Sequence, residues 1–144
     1  MAISSIDYEP RYLAGIVCFN AQEFFEAHEV WEGLWLESAG PERRFVQGLI
    51  QAAVALYHLS NGNLKGAGKL FRSARAYMEQ YPSPYWGLDV PAFWQQMEEC
   101  CRPILSQSAP DPLARPDPGP WPIITLQPPP ETWPDPHEFL DTED

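Results

Sequence analysis

His28 and Glu32 stand four residues apart in the run FEAHEVWEGLW. On an α-helix that spacing puts both side chains on one face. An imidazole and a carboxylate so placed can grip one divalent metal ion, hold a polar ligand, or pair with each other. The run invites comparison with the zincin pattern His-Glu-x-x-His. It fails that comparison, because Glu32 occupies the place of the second histidine. A stable metal site draws three or four protein ligands, and only His28 and Glu32 are strong ones here. Glu29 lies about 100° around the helix from His28.

A second polar stripe interrupts the apolar run FVQGLIQAAVALYHL. Gln47, Gln51 and His58 fall within about 40° of one another on a helix. Polar groups beside a core need partners, since each lost partner costs about 1–3 kcal/mol. A helical hairpin turning near Ala39-Gly40 would supply them. Residues at equal height then carry numbers summing to about 80, which pairs His28 with Gln51 and Glu32 with Gln47. Phe25, Trp31 and Trp35 flank the His28 face. The expectation is a buried, mutually close layer of His28, Glu32, Gln47 and Gln51, with Glu29 and Trp35 lining it. His58 lies roughly 10 Å further along the axis, at the edge of the candidate site. Such a layer serves either as a hydrogen-bond network that fixes helix register or as a pocket for one divalent metal ion or a small ligand. No Gly-rich phosphate loop, Gly-x-Ser-x-Gly or Cys–His catalytic spacing is present. The residues name no reaction, and any catalysis at the layer would depend on a metal.

The elements that must position these residues read as helices. Leu13, Ile16 and Val17 mark a short helix over Arg11–Phe19. Asn20 with Glu23 matches a capping box and predicts a second helix over Ala21–Glu37. Gly40-Pro41 ends it and opens a third, Pro41–Leu59, apolar on most sides and so central to its bundle. Ser60–Asn63 is a turn by composition. A fourth helix, Leu64–Gln80, carries Leu64, Ala67, Leu70, Phe71, Ala74 and Met78 on one face. Asp89 predicts the cap of a fifth, Val90–Arg102, with Pro91 in its first turn. The fold expected is an all-α antiparallel bundle of about five helices with a Pro-rich extended C-terminal strap.

Composition divides the chain at the same place. Its 144 residues carry a formal charge of -11. Residues 1–102 hold 12 acids and 8 bases, whereas residues 103–144 hold 8 acids, 1 base and 12 of the 17 prolines. The expectation is a helical domain over 1–102 and an acidic tail over 103–144 that lies across it and frays from Glu138. The excess of acid argues against nucleic acid or an anionic membrane as partner. No apolar run approaches the roughly 20 residues of a membrane helix, and MAISSIDYEP lacks the marks of a cleaved signal. Cys18, Cys100 and Cys101 follow no disulfide or Cys-x-x-Cys pattern and read as reduced thiols of a cytoplasmic protein. Lys65, Lys69, Arg72 and Arg75 form a basic ridge on the fourth helix, most simply a solvated face.

The segments FNAQEFFEAHEVWEGLW, FVQGLIQAAVALYH and GNLKGAGKLF together resemble the bacterial and archaeal family called domain of unknown function 309, over about residues 13–80. The hallmark is His-x-x-x-Glu-x-x-Trp or Tyr, met by His28, Glu32 and Trp35. The Gly48–Gln51 run and Gly62-Asn63 look like that family too. The resemblance implies an all-α fold and a metal site at the hallmark, and it implies no established reaction. A rival reading starts from Ala67, Phe71 and Ala74, which resemble the second helix of a tetratricopeptide unit. It makes the chain a protein-interaction module with a purely structural cluster, although no second copy stands in register. A homo-oligomer or a protein partner fits either reading.

Overall fold

A computed structural model describes residues 8–105 and 119–140. The 3.6-residue periodicity of the sequence resolves there into five α-helices: α1 Pro10–Asn20, α2 Phe24–Glu37, α3 Gly40–Ser60, α4 Leu64–Met78 and α5 Val90–Leu105. They pack on one another as an all-α bundle with α3 central, its longest contacts running along α4 and α2, while α1 lies along α2. The central place of α3 follows from its sequence, since nine of its side chains or glycines, from Phe45 to Leu59, are buried. Among the described residues there is no strand ladder; the extended pairings are the isolated bridges Tyr85–Leu88 and Leu88–Leu126.

Local chemistry sets the helix ends. The Glu9 carboxylate accepts from the Arg11 amide at 2.7 Å and caps α1, whose first residue is Pro10. The Arg11 guanidinium then reaches α2, donating to the Gly33 carbonyl at 3.0 Å and to Glu37 at 2.7 Å. That bond holds the Glu37 carboxyl below its ordinary range. Asn63 caps α4 by accepting from the Gly66 amide at 3.0 Å, and Asp89 caps α5 by accepting from Ala92 at 3.1 Å. The capping box expected at Asn20 and Glu23 does not form. Asn20 is the last residue of α1, α2 starts at Phe24, and Glu23 makes no side-chain cap. Gln22, with φ of 65°, carries the turn between the two helices. The Asn20 amide is used elsewhere: its Oδ1 accepts from the Ile124 amide at 2.8 Å and its Nδ2 donates to the Ile124 carbonyl at 3.0 Å. Helix α5 also continues past the expected Arg102 to Leu105, with Pro103 inside its last turn. So near the end, a proline costs less than it would in mid-helix.

Trp31 anchors α2 to α1. Its indole is fully buried, and Nε1 donates to the Tyr12 carbonyl at 3.2 Å. Gly15 leaves room for it, since a Cβ there would overlap the indole ring. Gly48 gives Met78 the same clearance between α3 and α4. Phe19 touches Phe24, Trp31 and Phe93, joining α1 to α2 and α5. Phe45 is surrounded by Tyr81, Tyr85 and Trp86 from the loop that leads into α5.

The C-terminal residues 119–128 run across α1, α5 and that loop. Pro122, Ile124 and Leu126 are buried and Ile123, Thr125 and Gln127 exposed, the alternation of an extended chain on a surface. Trp121 packs on Phe24 with ring centroids 5.3 Å apart. Glu138 and Phe139, where fraying was expected to begin, lie in a short 3-10 turn, Pro136–Phe139. The expected strap between 106 and 118, and the end from 141, lie outside the described residues.

All three thiols are buried. Burial pushes Cys18 up to about 12. Cys101 is raised by its hydrogen bond with Cys100 and then by burial. Thiol titration at pH 8 should therefore find little fast-reacting Cys18 or Cys101 in the native chain, and all three thiols once urea is added. Gly15→Ala should cost about 1–3 kcal/mol in urea denaturation, the usual penalty of overpacking. Gly33→Ala, whose Cβ would stand 3.7 Å from Arg11, should be nearly neutral or mildly stabilising.

Candidate functional site

The His28 face lies at the border of the core rather than inside it. The buried positions of α2 are Phe24, Ala27, Val30, Trp31 and Leu34. His28 and Glu32 are displaced from Trp31 by about 60° and 100° in the same sense around the helix. His28 is accordingly 22% exposed and Glu32 56% exposed, their Nε2 and Oε2 atoms 3.2 Å apart. The expected buried layer is thus corrected to a surface-lined one: Glu32 faces solvent, and Gln47 and Gln51 are half-buried. Phe25 and Trp35, expected to flank this face beside the core, do not bury it. Phe25 is in fact 44% exposed, and Trp35 is only partly covered.

The hairpin register does hold. Phe25 meets Tyr57 across the two helices with centroids 5.4 Å apart. The Arg43 guanidinium lies over the Trp35 ring, 3.9 Å from its centroid. Both pairs have residue numbers summing close to 80, so they bracket the height at which His28 stands with Gln51 and Glu32 with Gln47. Sequence reasoning had not assigned Arg43 or Tyr57 to the site. The same height rule, applied to every residue of the two stripes, would have found them.

The expected hydrogen-bond network is not made. His28 Nδ1 and Gln51 Oε1 are both shut off from solvent and lack a partner, as do Trp35 Nε1 and Arg43 Nε. The polar bond linking members of the four-residue layer is His28 with Glu32. Glu29 is exposed. His58 turns away to Asn63, its Nδ1 standing 3.4 Å from the Asn63 amide nitrogen. Aromatic contacts still lead to it from His28 through Phe25 and Tyr57. Among the described residues no group of three His, Cys, Asp or Glu side chains converges on one point. Among the described residues His28 and Glu32 therefore have no third side chain of these types beside them.

The other sequence features resolve simply. Lys65, Lys69 and Arg72 are exposed, and Arg75 stands 3.7 Å from Glu79 and 3.9 Å from Glu98, so opposite charge meets the end of the ridge. Ala67, Phe71 and Ala74 are buried in the bundle. No helix among the described residues is long and apolar enough to cross a membrane. A cleft of about 470 Å³ opens beside Tyr8, Tyr12, Leu34, Glu37 and Trp86, away from His28.

Comparison with known proteins places this geometry in a lineage. YpuF of Bacillus subtilis, an uncharacterised protein, is 39% identical over 69 residues, which are 46% of this chain and 40% of that protein. An uncharacterised protein of Aquifex aeolicus is 28% identical over 82 residues, 56% of this chain and 25% of that protein. The chain thus spans less than half the length of these curated relatives. A conserved hypothetical protein of Thermus thermophilus, known from its crystal structure, superposes with a TM-score of 0.57 at 33% identity, covering 67% of this chain and 98% of that one. The family described as Domain of unknown function (DUF309) matches residues 12–70, from Tyr12 at the Trp31 anchor through the whole α2–α3 hairpin. The chain belongs to that family.

Proposed function

We propose that this chain is a small binding protein whose α2–α3 face holds a divalent cation, or a polar ligand carrying one, through His28 and Glu32. The observation that carries the reading is the 3.2 Å separation of His28 Nε2 and Glu32 Oε2 beside two unpaired buried atoms. Two ligand atoms each about 2.1 Å from a divalent ion, at a near-tetrahedral angle, stand about 3.4 Å apart, close to the distance seen. A ring nitrogen and a carboxylate at this distance share either a hydrogen carried on Nε2 or a metal ion. The unpaired Nδ1 favours the metal. A ligating imidazole donates its other N–H to an acceptor, and Gln51 Oε1 is a free acceptor at the height of His28. A small adjustment of Gln51 that joined the two would leave the Nε2 lone pair to the cation. With two strong ligands the coordination sphere stays open, so the rest comes from water or from the bound molecule.

Thermal melts with added zinc and manganese test this. A cation that binds the folded chain raises Tm by mass action, by about 2.7 kcal/mol in stability at one hundred times Kd. His28→Ala should abolish the shift. The shift should also shrink as pH falls, because protons compete for Nε2. Wild-type melting that ignores both ions and chelator, with no metal copurifying from untagged protein, would sink the proposal. Gln51→Leu separates the two roles of the glutamine. Removing an unpaired buried acceptor should raise stability without metal by about 1 kcal/mol, while metal affinity drops about tenfold with loss of the outer hydrogen bond.

The exposed Phe25–Tyr57 pair favours a second reading, in which the same face docks a protein. Phe25 is 44% and Tyr57 37% exposed, and apolar side chains so placed are common at interfaces. Metal-insensitive melting together with concentration-dependent sedimentation abolished by Phe25→Ser would select it.

A further inference from the structure

We propose that the groove between α1, α5 and the Tyr85–Leu88 turn is a recognition site for an extended peptide, and that residues 121–127 are its built-in ligand. The assignment rests on how that segment is held. Two side-chain amides on different helices each close a reciprocal pair with the backbone of one residue of the segment. Asn20 binds both the N–H and the C=O of Ile124, at 2.8 and 3.0 Å. Gln96 binds both the N–H and the C=O of the preceding residue, Ile123, at 2.9 and 3.1 Å. Successive residues of an extended chain point their backbone groups to opposite sides. Asn20 and Gln96 therefore grip the two edges of the chain, as neighbouring strands would. Further along, the Gln127 amide donates to the Gly87 carbonyl at 2.9 Å, and the Tyr8 hydroxyl donates to the Pro128 carbonyl at 2.6 Å.

All of these contacts read backbone, which any peptide carries. Selectivity comes from what lies beneath: Pro122, Ile124 and Leu126 are buried while the residues between them face solvent. Main-chain bonds for affinity and alternate side-chain pockets for selectivity are the two halves of extended-peptide recognition. The ligand class follows directly. It is an extended peptide with proline, β-branched or leucyl side chains at every second position, uncharged residues that face solvent between them, and no charge over the central five. The groove lies partly outside residues 12–70, the family match, since Gln96 and Gly87 fall beyond it. A tethered ligand has an effective concentration in the millimolar range, so it masks the groove from competing peptides.

The test is binding of a fluorescein-labelled peptide, GPWPIITLQPPP, to the full chain, followed by anisotropy. Ile124→Asp should expel the chain's own segment and expose the groove. That variant should bind the labelled peptide at least tenfold more tightly than wild type does. Adding Asn20→Ala and Gln96→Ala in the same chain should reverse the gain, and a peptide with aspartate at the Ile124 position should not bind. Circular dichroism and a urea melt establish that each variant is folded. If Ile124→Asp does not fold, Ile123→Pro makes the same measurement, because it removes the N–H that donates to Gln96 and restricts the backbone there while keeping Pro122, Ile124 and Leu126. A folded variant of either kind that binds no peptide overturns the proposal, the segment then being a structural wrap. Failure of both variants to fold overturns it too, because the segment would then be an inseparable part of the core.

Discussion

The hydrogen bond from the Trp31 indole to the Tyr12 carbonyl, made across the gap left by Gly15, fixes how α2 lies on α1. A buried indole N–H must find an acceptor, and a helix carbonyl can serve only where no side chain keeps the ring away. That requirement sets both the approach of the two helices and the rotation of α2 about its axis. Everything on the outer side of α2 follows from that rotation. With Trp31 inward, His28, Glu32, Phe25 and Trp35 all fall on the flank that borders solvent. Phe19 and Phe24 pack around the same ring system and carry the constraint on to α5 through Phe93.

A flank position has chemical consequences that a fully buried one lacks. One nitrogen of His28 is closed off from water, and the other reaches the Glu32 carboxylate, itself open to solvent. Small ions and ligands can therefore arrive without opening the bundle, while the buried side of the ring remains sensitive to its neighbours. Gln51 and Arg43 add unpaired buried atoms to the same flank, and Arg43 spreads over Trp35. Unpaired buried polar atoms are rare in folded proteins because each costs free energy. Four of the five such atoms among the described residues lie on this α2–α3 flank, the fifth being Trp94 Nε1 on α5.

The C-terminal segment illustrates a second way in which polar side chains serve this chain. Asn20 and Gln96 stand at the edges of helices, where their amides are free to reach across a groove. There they satisfy a stretch of extended backbone that has no strand beside it. Such a stretch would otherwise leave its peptide groups to water, or unpaired where Ile124 is buried. Its apolar side chains and its backbone are thus satisfied by different parts of the bundle.

Much of the architecture was legible in the sequence. The five helices, their near-correct limits, the central α3 and the α2–α3 register all follow from apolar spacing, Pro41, Gly62 and Asp89. Those are local effects of backbone sterics and periodic burial. The resemblance of the segments over about residues 13–80 likewise pointed to the family whose model matches residues 12–70. The role of Asn20 was not legible, because its spacing to Glu23 suits a cap and its true partner, Ile124, lies 104 residues away. Nor was the exposure of Glu32. Helical spacing fixes which residues share a face, but only the packing of Trp31 against α1 decides how far that face turns toward water. Whether a polar atom is paired depends likewise on distances of a few tenths of an ångström between separate helices. No pattern along one chain encodes those distances, and the tertiary structure alone set them for His28 Nδ1 and Gln51 Oε1.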